Sequence, residues 1–135
     1  MRMGFGLVIA AIILQSWTGP LAAHHAVEQT YDLNKSVTLA GVVSRVEWIN
    51  PHAQLYVDVT RGDGTTLIWS IELGAPNALR SSGFDIGALR QGERIIVDVW
   101  AAKDGSQSGS IRALRLSDGR TFTSGPPMWT GQSKR

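Results

Sequence analysis

The sequence predicts an all-β protein with one short helix, arranged as an OB-fold-like five-stranded Greek-key barrel; the alternative is a small β-sandwich. Three observations lead there. Apolar alternation marks three strands, then a short helix, then two more strands, which is the element order of an OB-fold. The first strand is long and carries a glycine, Gly41, as a strand must when it bends to serve both sides of a barrel. The chain has no cysteine, so one apolar core has to hold the domain without disulfides.

The elements follow in order. Residues 1–23 begin with Met1-Arg2-Met3, continue through an apolar run over residues 4–14, and end in Leu21-Ala22-Ala23, the layout of a secretory signal peptide. The apolar run is too short for a membrane anchor, which needs about 20 residues, and Pro20 would break its helix. Residues 24–36 are mixed and polar and read as a lead-in segment. Residues 37–48 (VTLAGVVSRVEW) form the first strand, with Val37, Leu39 and Val43 on one face and Val42, Val46 and Trp48 on the other. The phase changes around Gly41, which predicts a bulge or a sharp coil there.

Asn50-Pro51 imposes a turn, and residues 54–60 alternate cleanly as the second strand. Gly62-Asp63-Gly64 is a hairpin turn into the third strand, residues 65–73, where Leu67, Trp69, Ile71 and Leu73 are in phase. Residues 74–83 read as a short helix, with Pro76 in its first turn and Gly83 beyond its end. Residues 94–101 and 110–116 are the fourth and fifth strands, and residues 121–123 a further short one. The barrel domain thus spans residues 37–124, and residues 125–135 read as a flexible tail.

Charge narrows the partners. Once Arg2 is removed with the leader, 12 of the 13 basic residues face 11 acidic ones, a net charge of +1. So balanced a surface lacks the phosphate-directed field of nucleic-acid binders. No membrane anchor is expected after processing. No nucleophile elbow, zincin motif or paired-carboxylate spacing is present, so a non-enzymatic role is expected.

The candidate metal ligands are His24, His25 and His52. Cleavage after Ala23 frees the amine of His24, which with its own imidazole and a second one suits Cu(II) and its tetragonal nitrogen ligation. Cleavage one residue earlier makes His25 the third residue and allows a square-planar amine, amide and imidazole site. His52 joins only if the lead-in segment folds back beside the Asn50-Pro51-His52 turn. Copper is the leading cofactor expectation, and nickel also suits the square-planar site. The candidate ligand-contact residues are Trp48, Asn50, Tyr56, Glu72 and Trp100, around the loop face that an OB barrel uses for binding. Glu72 has rival roles: capping the helix start, pairing with Arg80, or acting as a fourth metal ligand. Trp69 reads as core.

Taken together, several motifs resemble the DUF6152 family of small exported bacterial proteins of unknown function. They are His24-His25 after the leader, Val37-x-Leu39-x-Gly41-x-Val43, Val46-Glu47-Trp48-x-Asn50-Pro51-His52, and Trp69-x-x-Glu72-Leu73-Gly74-x-Pro76-Asn77-x-Leu79. Gly92-Glu93, residues 102–106 and residues 116–120 continue the likeness, which covers roughly residues 24–122. The chain departs from the family pattern at Ala26-Val27, where Ser and an aromatic residue are usual, and at Phe84, where Trp is usual. The resemblance implies export and a single β-rich domain, and it implies no activity.

The expectation is therefore a periplasmic or secreted binding protein that takes copper or another transition metal through its N-terminal histidines. The alternative is an interaction module that holds a peptide, a glycan or another small ligand on the barrel loop face. The intact mass of the exported protein, with and without added Cu(II), checks the leader: the expected mass starts at His24 and gains one copper ion.

Overall fold

The computed structural model describes residues 27–125 and 128–130. Residues 27–30 form a helical turn that leads directly into strand β1 (Tyr31–Glu47). Strands β2 (Gln54–Thr60) and β3 (Thr66–Glu72) follow as a hairpin. A six-residue helix, α1 (Pro76–Ser81), and a 3-10 turn, η1 (Ile86–Ala88), precede β4 (Arg94–Ala102) and β5 (Ser108–Leu116). Two short strands, β6 (Thr121–Gly125) and β7 (Met128–Thr130), complete the sheet.

The sheet order is β3-β2-β1-β4-β5-β6-β7, and a parallel pairing of β3 with β5 closes the first five strands into a ring. That is the OB-fold order predicted from the sequence, and the sandwich does not form. The ring is not a clean barrel. Its β3–β5 seam is three residue pairs long, Ser70 with Ser108, Ile71 with Gly109 and Glu72 with Ser110, while β6 and β7 extend outward from β5.

β1 makes the ring possible by changing partners along its length. Residues 36–42 pair with β4, and residues 42–47 pair with β2. The bulge lies at Ser44 rather than at Gly41: Val43 faces Val57 and Arg45 faces Tyr56, which leaves Ser44 as the extra residue. The inward face changes phase there. Leu39 and Val43 are buried before the bulge, and Val46 and Trp48 pack against the core after it. Gly41 meets a different constraint, because a Cβ there would lie 2.5 Å from the Asp58 carbonyl oxygen and 2.6 Å from Val57 Cγ1. Its missing side chain lets β1 and β2 close up where the strand coils.

Two boundaries differ from expectation. β1 starts at Tyr31, inside the expected lead-in segment, because residues 32–36, polar but for Leu33, occupy a mostly exposed stretch of strand that needs no apolar pattern. At the other end, Met128–Thr130 pair with Thr123–Gly125, so part of the expected loose tail adds a strand. Residues 131–135 lie outside the described residues.

The core fills the ring with Leu55, Val57, Ile71, Val97, Val99 and Leu114, all essentially inaccessible to water. α1 and η1 pack against this core through Leu79, Ile86 and Ala88. Pro76 starts the helix without a side-chain cap, Leu79 enters the core, and Gly83 leaves the helix at φ +84. Phe84 then donates its amide to the Leu79 carbonyl at 3.0 Å and stacks at a tilt on Phe122, with ring centroids 4.5 Å apart.

The close approach at Gly41 generates a stability prediction. Gly41→Ala should destabilise the domain by about 1–3 kcal/mol, the range for an overpacked site. Gly62→Ala, where a Cβ would meet nothing within 4 Å, should change the urea midpoint far less.

Candidate functional site

The site begins with strand alternation. Leu55, Val57, Ile71 and Leu73 point inward, so Gln54, Tyr56, Ser70 and Glu72 point outward on the same two strands. Glu72 faces Gln54 on one side and Ser110 on the other, which puts its carboxylate on the outer face directly over the β3–β5 seam. His52 precedes β2 after the Asn50-Pro51 peptide, which is cis. The buried Ala53 ties this segment to the end of β3: its amide reaches the Gly74 carbonyl at 3.2 Å, and its carbonyl accepts from Leu73 at 2.9 Å. His52 therefore sits beside Glu72, and its Nδ1 lies 2.7 Å from Oε1.

The other carboxylate oxygen is taken by the N-terminal segment. The Tyr31 hydroxyl donates to Glu72 Oε2 at 3.0 Å. Tyr31 is buried, pairs with Ala102 at the far end of β4, and has the Ser108 side chain beside it. Lys103 fixes the preceding turn, donating its amide to the Thr30 carbonyl at 3.0 Å and its ammonium to the Glu28 carbonyl at 2.5 Å. Glu72 thus joins the start of the described chain, the β1–β2 loop and the β3–β5 seam in one hydrogen-bonded unit.

The electrostatics follow from that position. Burial pushes the Tyr31 hydroxyl up to about 12, because it disfavours the tyrosinate. The negative charge of Glu72 and the hydrogen bond to it add to the rise; the Ser108 side chain opposes it, and Asp104 contributes a smaller increase. Tyr31 therefore remains a neutral donor to Glu72. With Nδ1–H directed at the carboxylate, a neutral His52 carries its lone pair on Nε2, and the ring is about two-fifths exposed. This is the arrangement in which a carboxylate fixes the orientation of a metal-binding or proton-accepting imidazole.

The residues singled out from the sequence have different fates. His24 and His25 lie outside the described residues. His52 and Glu72 come together, but Glu72 neither caps α1 nor pairs with Arg80, whose guanidinium bonds Asn77 Oδ1 at 3.2 Å. Asn50 is exposed in the loop, and Trp48 packs half-buried against the core. Tyr56 lies beneath the Arg45 guanidinium, 4.1 Å from its ring centre, and its hydroxyl donates to Glu47 at 3.4 Å. Trp100 is half-buried, facing Ser36 and Ser110, one strand beyond Ser110 from Glu72. Trp69 is packed, partly buried, against the core. Among the described residues no three His, Cys, Asp or Glu side chains converge as a metal cluster, and no helix is long and apolar enough to cross a membrane.

Sequence reasoning missed Tyr31 and Ser108. The signal for Tyr31 was an aromatic residue ahead of a polar run, which reads as a loop until the strand pairing is known. Ser108 precedes the first β-branched residue of β5 and carried no signal.

Among known protein families, the model of DUF6152, a family of unknown function, fits residues 11–112. No curated protein and no solved structure matches the chain.

The burial of the Tyr31 hydroxyl, reinforced by the charge of Glu72 and the bond to it, makes stability depend on alkaline pH. The unfolded tyrosine loses its proton near 10 and the folded one near 12, so the contribution is complete below pH 10 and is lost as pH rises to about 12. Urea midpoints measured across this range should fall for the wild type. Tyr31→Phe should be less stable by about 1 kcal/mol at neutral pH and should lack that alkaline decline.

Proposed function

Since the chain belongs to DUF6152, a family without an assigned activity, we propose from the site itself that it is an exported, non-enzymatic binding domain for a transition metal. The domain is periplasmic or secreted. Copper is the foremost candidate, held by His24, His25 and Nε2 of His52, with Glu72 as the residue that positions His52.

One observation carries this reading: Tyr31 and His52 bind the two oxygens of the same carboxylate. His25 precedes Tyr31 by six residues, and six residues extend over at most about 20 Å. The folding back of the lead-in segment that a joint site requires is thus supported by the Tyr31 and Lys103 contacts. A free amine, N-terminal imidazole and the His52 imidazole form a nitrogen-rich set of the kind Cu(II) prefers. Glu72 then serves as an outer partner that accepts from Nδ1–H and raises the basicity of Nε2.

Protein processed to begin at His24 should bind one Cu(II) with a tetragonal, nitrogen-rich EPR spectrum and a d–d band. His52→Ala should remove one nitrogen from that spectrum. Glu72→Gln should keep the spectrum and weaken copper binding about 10–100-fold. Absence of both signals at stoichiometric copper would rule the metal site out. An unchanged spectrum in His52→Ala would confine the site to the N-terminal residues.

A further inference from the structure

A second place on the molecule shares no residue with the Glu72 unit. On the outer face of β2, β1, β4 and β5 lies a groove of about 530 Å³, within the range of small-molecule sites. Strand register orders its lining into a polarity gradient. On β5 and β4 stand Arg115, directly opposite Ile96, and Arg94, directly opposite Val42. Ile96 in turn faces Ala40, so the middle of the groove is apolar: Ile96, two-fifths exposed, with Ala40 and Val42. At the β2 end are Asp58, opposite Val42 on its other side, and the Thr60 hydroxyl.

The two arginines decide the ligand's charge. Arg115 faces the residue two positions along β4 from Arg94, which makes them diagonal neighbours on one sheet face at about 7–8 Å. Neither guanidinium forms an ion pair among the described residues, whereas Arg45 is paired with Glu47 and Arg120 with Asp85 and Asp118; Asp98, the other diagonal neighbour of Arg115, instead accepts from the Thr38 hydroxyl. Asp58 lies two strands from Arg94, a backbone separation of about 10 Å, and forms no ion pair with it among the described residues. An anion bridging the two guanidinium groups would relieve a like-charge pair and gain charge-assisted hydrogen bonds.

We infer that this groove binds a monoanionic amphiphile, a fatty carboxylate of medium chain length, with its head on Arg94 and Arg115. Its chain lies across Ile96, Ala40 and Val42. From β5 to β2 is three strand spacings, about 14 Å, which an eight- to ten-carbon chain fits. Asp58 at the far end disfavours a second carboxylate, so monoacids bind in preference to diacids.

Titration of the full-length processed protein with decanoate, followed by amide NMR, tests the assignment. Saturable shifts should fall on residues 40–42, 94–96 and 115–119 and leave His52 and Glu72 unmoved. Arg94→Gln and Arg115→Gln should each weaken binding at least tenfold, and Arg115→Lys should recover part of the loss; the same spectra report whether each variant is folded. Decanedioate should bind several-fold more weakly than decanoate, and decanol at least tenfold more weakly. The inference is overturned by non-saturable shifts, by decanol binding as tightly as decanoate, or by folded arginine variants that bind like the wild type.

Discussion

The constraint on which everything else rests is the double pairing of β1. A 17-residue strand gives its first half to β4 and its second half to β2. It can do so only because Gly41 lets it approach β2 closely and Ser44 bulges out to reset its inward face. The change at Ser44 moves the buried positions from Leu39 and Val43 to Val46 and Trp48, which keeps apolar side chains in the ring on both sides of the bend. Once β1 has joined β2 to β4, β3 and β5 are brought edge to edge, and the short parallel seam follows. Gly109 has a matching role at that seam: a Cβ there would lie 2.8 Å from Val99, so the strand must be bare where it turns into the closure.

The seam is also where the polar chemistry collects. Three residue pairs are little to hold a ring shut, and the outer side chains across them add to it. Glu72 accepts from Tyr31 and contacts His52, so one carboxylate fastens the extended start of β1 and the β1–β2 loop onto the seam. Hydrogen bonds to a charged acceptor are stronger than neutral ones, and here they are partly shielded from water. The same contacts orient His52 with its Nε2 outward. Structural fastening and imidazole positioning are thus one arrangement seen from two sides, which is why Glu72 matters more than its place on an outward strand face suggests.

Much of the architecture was legible in the sequence. The alternation of Leu55, Val57 and Val59 and of Leu67, Trp69 and Ile71 located β2 and β3, because half-buried strands have to repeat every two residues. Pro76 and Gly83 bracketed α1 for equally local reasons. The bulge was legible as a phase change but was assigned to the glycine, since glycine is the usual local sign; the register shows that Ser44 absorbs the extra residue. The early start of β1 was not legible, because an exposed strand edge with polar residues on both faces looks the same as a loop.

The candidate site divides along the same line. His52 and Glu72 stood out individually by residue type, and the sequence alone determined the order of strands and helix along the chain, the cysteine-free core and the near-neutral charge of the domain. Tertiary structure alone decided that Glu72 turns away from Arg80 and the helix start, and that Tyr31, 41 positions earlier, meets it at 3.0 Å. The same holds for Arg94 and Arg115, ordinary surface residues in the sequence that register sets side by side. The reason is physical: periodicity and turn chemistry act over a few residues, whereas a hydrogen bond across a seam exists only after distant strands have been paired.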